Sequence, residues 1–189
     1  IGNWVLDEAC RQGRAWSDEG LPPIHVAVNL SAVQFLQGDI DEQITGAVSK
    51  HGFDPGHLDL ELTETMLVVN PEQTIETLKK MKEQGMSVSM DDFGTGYSSL
   101  SFLAKLPLDN LKVDRSFVMN LPEDRDAATL VRTIVTMAQQ LGLAVIAEGI
   151  ETASQEAFLS ALGCEMGQGY LFGKPMAPDE FAALVQSGS

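Results

Sequence analysis

Basic residues are scarce in this sequence: 12 Lys and Arg stand against 27 Asp and Glu, a formal net charge of −15. Such a chain has no basic surface to lay along a nucleic-acid backbone, which excludes DNA and RNA polymers as partners. A small anionic substrate stays open to it, provided cations are bound first. Long apolar runs are also missing, and nothing approaches the ~20 residues needed to cross a bilayer. Cysteine is limited to Cys10 and Cys164, far apart and without metal-ligand spacing. That usage points to a reduced, cytoplasmic protein. These residues carry no signal-peptide pattern, and the sequence opens at Ile1 instead of Met. It is expected to be an excerpt from something longer, so any membrane anchor would lie in regions outside it.

What is present fits one globular domain. Hydrophobic residues make up 44% of 189 residues, enough for a single sizeable core and too few to assume two. Short segments at 25–31, 58–64, 87–92, 111–114, 144–149 and 164–172 read as strands. Amphipathic stretches at 3–16, 32–50, 71–84, 122–141, 153–162 and 178–186 read as helices between them. The clearest runs from Pro122 to Leu141, with Leu130, Ile134, Met137, Ala138 and Leu141 on one stripe and Gly142 as a stop. Strand alternating with helix predicts a parallel sheet covered by helices.

Inside the strands, apolar and polar residues alternate. Leu58, Leu60 and Leu62 alternate with Asp59, Glu61 and Thr63; Val88 and Met90 with Ser87, Ser89 and Asp91; Leu111 and Val113 with Lys112 and Asp114. Each such strand has one apolar and one polar face. An open sheet covered on both sides would show nearly continuous apolar strands. The pattern instead predicts an α/β fold of the modified (β/α)8, TIM-type barrel class, with apolar faces against outer helices and polar faces converging inside. In such barrels the site lies at the C-terminal ends of the strands. Asn29, Glu61, Asp91, Lys112, Glu148 and Gln168 all fall there. Each alone could be a loop hydrogen bond or a helix cap, but six strands delivering polar groups to one rim favour a site. A complete barrel takes ~250 residues, so about six of eight units are expected here. The helical stretch 3–16 has no strand before it, which places the missing units at the N-terminus.

The sharpest motif is "SVSMDDFGTGYSSL", where Asp91 and Asp92 stand side by side before two glycines. The plain alternative is a solvated turn. Repelling carboxylates make better sense around cations, and carboxylates with an amide oxygen suit Mg²⁺ or Mn²⁺. Two such ions ~3.5–4 Å apart are the arrangement used for phosphoester cleavage. Asp91 would bridge them and Asp92 reach the second. Lys112 would then orient or deprotonate the attacking water. Its alternatives are a Schiff-base lysine, or a structural ammonium neutralising Asp114 or Glu148. His25, His51 and His57 lie outside this pattern.

The segments "NLS", "ELTE", "DDFGTGYSSL", "LKVDRSFV", "IAEGIET" and "GQGYLFGKP" closely resemble, in order and along nearly the whole chain, the EAL-domain family of cyclic di-GMP phosphodiesterases. The resemblance implies two Mg²⁺ or Mn²⁺ ions and hydrolysis of cyclic di-GMP to linear pGpG; Ca²⁺, with its longer distances and looser geometry, is expected to be inhibitory. Carried over by residue, it implies Asn29, Glu61 and Asp91 at one ion, and Asp91, Asp92 and Glu148 at the other. Lys112 and Glu148 would be catalytic and Asp114 a supporting carboxylate. Glu64 would steady the loop after Asp92, and Glu151 and Gln168 would face substrate. It further implies a homodimer and neighbouring sensory or GGDEF domains in the parent chain. The Glu-Ala-Leu tripeptide that names the family is absent from these residues. Residues 1–189 are therefore expected to form such a domain without its N-terminal strands, active in the parent and inactive as an excerpt. The competing functions are a degenerate, non-catalytic cyclic di-GMP receptor and a pure interaction module.

Overall fold

The computed structural model of the chain describes residues 1–37, 39–63, 66, 71–94 and 103–188. Its described residues alternate strand and helix as expected: α1 (Gly2–Asp18), β1 (Val26–Asn29), α2 (Ala32–Gln37), α3 (Ile40–His51), β2 (Leu58–Thr63), α4 (Pro71–Glu83), β3 (Ser87–Phe93), β4 (Asn110–Val113), α5 (Arg115–Val118), α6 (Arg125–Gln140), β5 (Ala144–Glu148), α7 (Ala153–Ala161), β6 (Met166–Gln168) and α8 (Pro178–Ser187). The hydrogen-bonded order β1-β2-β3-β4-β5-β6 follows the chain. The pairs β1–β2, β3–β4, β4–β5 and β5–β6 are parallel.

Two compact units divide the chain, one from 1–62, 66–88 and 175–189, the other from 63–65 and 89–174. In the first, α1 buries Leu6 and Cys10, and α3 buries Ile40, Ile44, Ala47 and Val48. Trp16 of α1 meets Phe181 of α8, ring centroids 4.9 Å apart. Leu58, Leu60 and Leu62 are fully buried, each side chain contributing roughly 1.5–3 kcal/mol relative to exposure. Asp59 and Glu61, on the opposite face of β2, are buried as well. Alternation therefore marks polarity on this strand, not exposure.

In the second unit, α6 departs from the expected helix in two ways. It begins at Arg125, where the Asp124 carboxylate accepts from the amides of Asp126 (2.8 Å) and Ala127 (3.1 Å). Pro122 thus precedes the cap instead of opening the helix. Its buried face is Val131, Ile134, Val135 and Ala138, an i, i+3, i+4, i+7 stripe. Leu130 and Leu141, expected inside, are 40% and 38% exposed. The stretch 32–50 is two helices, not one. The last strand is shorter than 164–172, because after Gln168 the chain folds back on the turn that follows β5. Ile150 N donates to Gln168 O (3.1 Å) and Leu171 N to Ile150 O (3.0 Å). A methyl group on Gly169 would overlap the Ile150 backbone, so only glycine fits that approach.

Candidate active site at the strand ends

β3 carries an irregularity where the paired aspartates lie. Met90 pairs with Leu111 and Phe93 with Val113, so β3 spends one residue more than β4 over this interval. In a regular strand Asp91 and Asp92 would project to opposite faces. A bulge breaks that alternation locally and is a device by which strands beside functional sites re-aim a side chain. Asp92 adopts a left-handed backbone, φ +54°, a conformation that aspartate tolerates better than most residues. Its amide donates to Asp91 Oδ1 at 3.0 Å. Two adjacent aspartates break the apolar–polar alternation of β3, and the bulge is the physical form of that break.

Lys112, in the middle of β4, is 4% exposed. A lysine so enclosed needs anionic partners. Its Nζ lies 2.6 Å from Glu148 Oε1 and 3.2 Å from Asp91 Oδ1. β4 and β5 are in register, with Lys112 opposite Ile146, so Glu148 stands one alternation beyond and on the same face as the lysine's neighbour. Of the alternatives for Lys112, the pairing with Glu148 is present.

Asp92 and Asp114 are hydrogen-bonded to each other, and their environments push them apart. Burial raises Asp92 above the ordinary carboxylate value, and the negative charges of Asp91 and Asp114 add to the rise, against a smaller opposing effect of Lys112. Burial would raise Asp114 too, but hydrogen bonds from Ser116 and the backbone amides of Ser116 and Arg115 outweigh it and hold Asp114 low. Asp114 also caps α5, accepting from Ser116 N at 2.9 Å. The Asp-x-Ser spacing is a turn signal that could have announced this.

In the first unit, Asn29 and Glu61 are register partners on β1 and β2. Asn29 Nδ2 donates to Glu61 Oε2 at 3.0 Å, and Glu61 is 6% exposed. Gln168 pairs with Glu148 in the β5–β6 register and is exposed. Glu151 is ion-paired with Arg115 at 2.7 Å. Glu64 lies outside the described residues. The histidines are elsewhere, as expected: His51 contacts Asp7 at 3.0 Å, and His25 and His57 meet edge to face. Sequence reasoning missed Gln155, whose side chain is buried and four times hydrogen-bonded. The Thr152-x-x-Gln155 capping box was its available signal.

The donor chemistry of Asp91, Asp92 and Glu148 suits a hard divalent cation such as Mg²⁺ or Mn²⁺. Asp92's raised affinity for a proton, set by burial and by neighbouring carboxylates, is a charge excess that a cation would relieve. The side chains as they stand form no finished coordination sphere: among the described residues no group of three His, Cys, Asp or Glu is placed to hold a metal ion. The Lys112 ammonium holds Asp91 and Glu148 instead. Among the described residues, no helix is long and apolar enough to cross a membrane.

A family model described as EAL domain matches residues 1–175. The Pseudomonas aeruginosa protein named bifunctional diguanylate cyclase/cyclic di-GMP phosphodiesterase MucR is 44% identical over 185 residues, 98% of this chain and 27% of its own length. The cyclic di-GMP phosphodiesterase NbdA of the same organism is 44% identical over 176 residues, 93% of this chain and 22% of its own. The chain thus spans about a quarter of the length of these curated relatives. A solved structure of the PaMucR phosphodiesterase in complex with c-di-GMP superposes with a TM-score of 0.91 at 44% identity, covering 96% of this chain and 73% of that one. Klebsiella pneumoniae BlrP1, solved with calcium and cyclic di-GMP, gives 0.79 at 28% identity over 92% and 44%. The expected α/β class, a TIM-type barrel repeat with six parallel strands here, is the fold of these neighbours.

Proposed function

The chain belongs to the EAL domain family, and from that membership we propose that it forms most of a cytoplasmic domain that hydrolyses one phosphodiester of cyclic di-GMP to linear pGpG. The observation that carries this reading is the enclosed Lys112, held by Asp91 and Glu148 beside the Asp91–Asp92 bulge. A buried ion pair is a poor way to stabilise a fold, since desolvation offsets its attraction. Grouped, perturbed carboxylates of this kind favour chemistry. The c-di-GMP complex of PaMucR supports the substrate, and the calcium in BlrP1 supports a divalent cation.

Asn29, Glu61 and Asp91 are the proposed ligands of one ion, with Asp91, Asp92 and Glu148 those of the other. Two Mg²⁺ or Mn²⁺ ions, when bound, would offset the phosphodiester charge and acidify a water. Lys112 Nζ would hold and orient that water through its N–H donors, while Glu148 Oε1 keeps the ammonium in place. Asp114 would keep the Asp92 carboxyl oriented. Gln168 would face the dinucleotide, and Glu64 would steady the loop after Asp92; Glu151, assigned to the substrate side by the resemblance, is ion-paired with Arg115. The Glu-Ala-Leu glutamate, absent from these residues, would come from the remaining strands of the domain. A homodimer and neighbouring sensory or GGDEF domains complete the proposal.

The test is to incubate the purified parent protein, in which the strand with the Glu-Ala-Leu glutamate is present, with cyclic di-GMP and either Mg²⁺ or Mn²⁺ and to separate the nucleotides by chromatography. The expected result is stoichiometric pGpG, with Ca²⁺ permitting binding but no turnover. Ca²⁺ accepts longer distances and looser geometry, so it fills the site without positioning the water. Binding without pGpG in both Mg²⁺ and Mn²⁺ would instead identify a receptor.

A further inference from the structure

Two segments carry the carboxylates of the second unit away from the sheet: 114–119, which begins at Asp114, and 149–155, which begins after Glu148. Three contacts fasten them together. The aliphatic stem of Arg115 lies on the backbone of Gly149 (φ +71°) so closely that a methyl group there would overlap it. Arg115 Nη2 donates to Glu151 Oε1 at 2.7 Å. Gln155, 5% exposed, accepts at Oε1 from Glu151 N (2.8 Å) and Thr152 N (3.0 Å) and donates from Nε2 to Val118 O and Met119 O, both at 3.2 Å. Two bonds accepted and two donated exhaust what a carboxamide side chain commonly makes.

From this clasp we infer that Arg115 is a positioning residue for the reaction, acting through Glu151 and Gly149 on Glu148; the inference rests on the phosphodiesterase reading. Gln155 anchors the two segments from below. Arg115 adjusts them from the surface, where it and Glu151 are 53% and 42% exposed. A pair so exposed contributes little to folding, while a small misplacement of a catalytic carboxylate costs large factors in rate. The inference also reassigns Glu151 from a substrate contact to Arg115's partner.

The experiment compares wild type, Arg115→Met, Arg115→Lys, Glu151→Gln and the Met/Gln double variant in the purified parent protein, with the strand that carries the Glu-Ala-Leu glutamate present. Melting temperature, kcat and KM for cyclic di-GMP, and the midpoint of a Mn²⁺ titration without nucleotide are measured. Arg115→Met keeps the stem over Gly149 and removes only the fork. It should melt within about 2 °C of wild type, lose about tenfold or more in kcat with little change in KM, and shift the Mn²⁺ midpoint upward. Glu151→Gln should match it, the double variant should be no worse than either single, and Arg115→Lys should recover part of the loss. Unchanged kcat and Mn²⁺ midpoint in Arg115→Met would overturn the inference. So would a raised KM confined to Glu151→Gln with additive losses in the double variant, which would make Glu151 a substrate contact. A wild type that yields no pGpG sinks the phosphodiesterase reading instead, and the Mn²⁺ midpoint then decides the clasp by itself.

Discussion

Two clusters in this chain join acids to bases, and they do so under opposite conditions. On the helix surface of the first unit, Asp7 of α1 accepts from Lys50 at 2.7 Å and contacts His51 at 3.0 Å, both at the end of α3. Hydrogen bonding to Lys50, then to His51, holds the Asp7 carboxyl below its ordinary value. At the strand ends of the second unit, Lys112 makes contacts of similar length to Asp91 and Glu148 while almost wholly enclosed. Near-equal distances conceal different energetics. The surface cluster is solvated and screened, so its net effect on folding is small. The enclosed one has given up its hydration, so losing one member leaves charge with nowhere to go. Distance alone says nothing of worth; surroundings decide it.

The largest expected effect separates the two at once. Lys112→Met should cut pGpG formation by about 10²–10⁴, the usual range for a group that handles a proton, with cyclic di-GMP binding largely kept. It should also lower the unfolding free energy by ~3 kcal/mol, because two carboxylates lose their ammonium. A variant that melts like wild type would put this cluster in the same class as the surface one. Asp91→Asn comes next on stability: turnover should be lost as in Lys112→Met, but the stability loss should be smaller, since Glu148 still holds Lys112. Full activity in Asp91→Asn would remove the assigned role of the bulge.

The core beneath the surface cluster offers a third, intermediate test. Burial pushes the Cys10 thiol from an ordinary 9.0 up to about 11. Its contribution is fully present below pH 9 and is lost as pH rises toward 11, since the unfolded chain ionises first. The melting temperature should therefore fall across that alkaline window, and Cys10→Ala should flatten the slope even while lowering the overall value. The smallest effect is Asp7→Asn. At neutral pH its melting temperature should stay near wild type. The depressed carboxyl contributes above its ordinary 3.8 and loses that contribution as pH falls through its lower folded value, so any difference should close in acid. A large neutral-pH loss would break the comparison from the surface side.

Much of this was legible in the sequence, and what was not has physical reasons. Alternation located the strands because period two is a local property. Strand-end polarity singled out Lys112, Glu148 and Asp91 because barrel sites gather there. The face of α6 was misread because Leu130 and Leu141 make an apolar stripe about as good as the one headed by Val131, and tertiary packing chose between them. The proline signal places the start of α6 at Pro122, but the Asp124 carboxylate caps amides that a proline leaves unmet, and the helix begins after it. The brevity of β6 and the use of Gln155 depend on contacts between segments distant in sequence, which local pattern cannot carry. The bulge was half visible: two adjacent aspartates hinted at an irregularity, but only the partner strand's register shows a residue too many.

That extra residue has a consequence for how β3 can change. Met90 and Phe93 pair with Leu111 and Val113, two alternate positions of one strand, so parity is restored after the bulge and Phe93 returns to the buried side. A deletion of Asp92 would leave a strand with unbroken alternation and every apolar residue still in phase. The sheet would register no error. The bulge therefore acts as a frame marker that the apolar phase of β3 does not require, and a strand shortened by Asp92 would keep its alternation while losing the second acid.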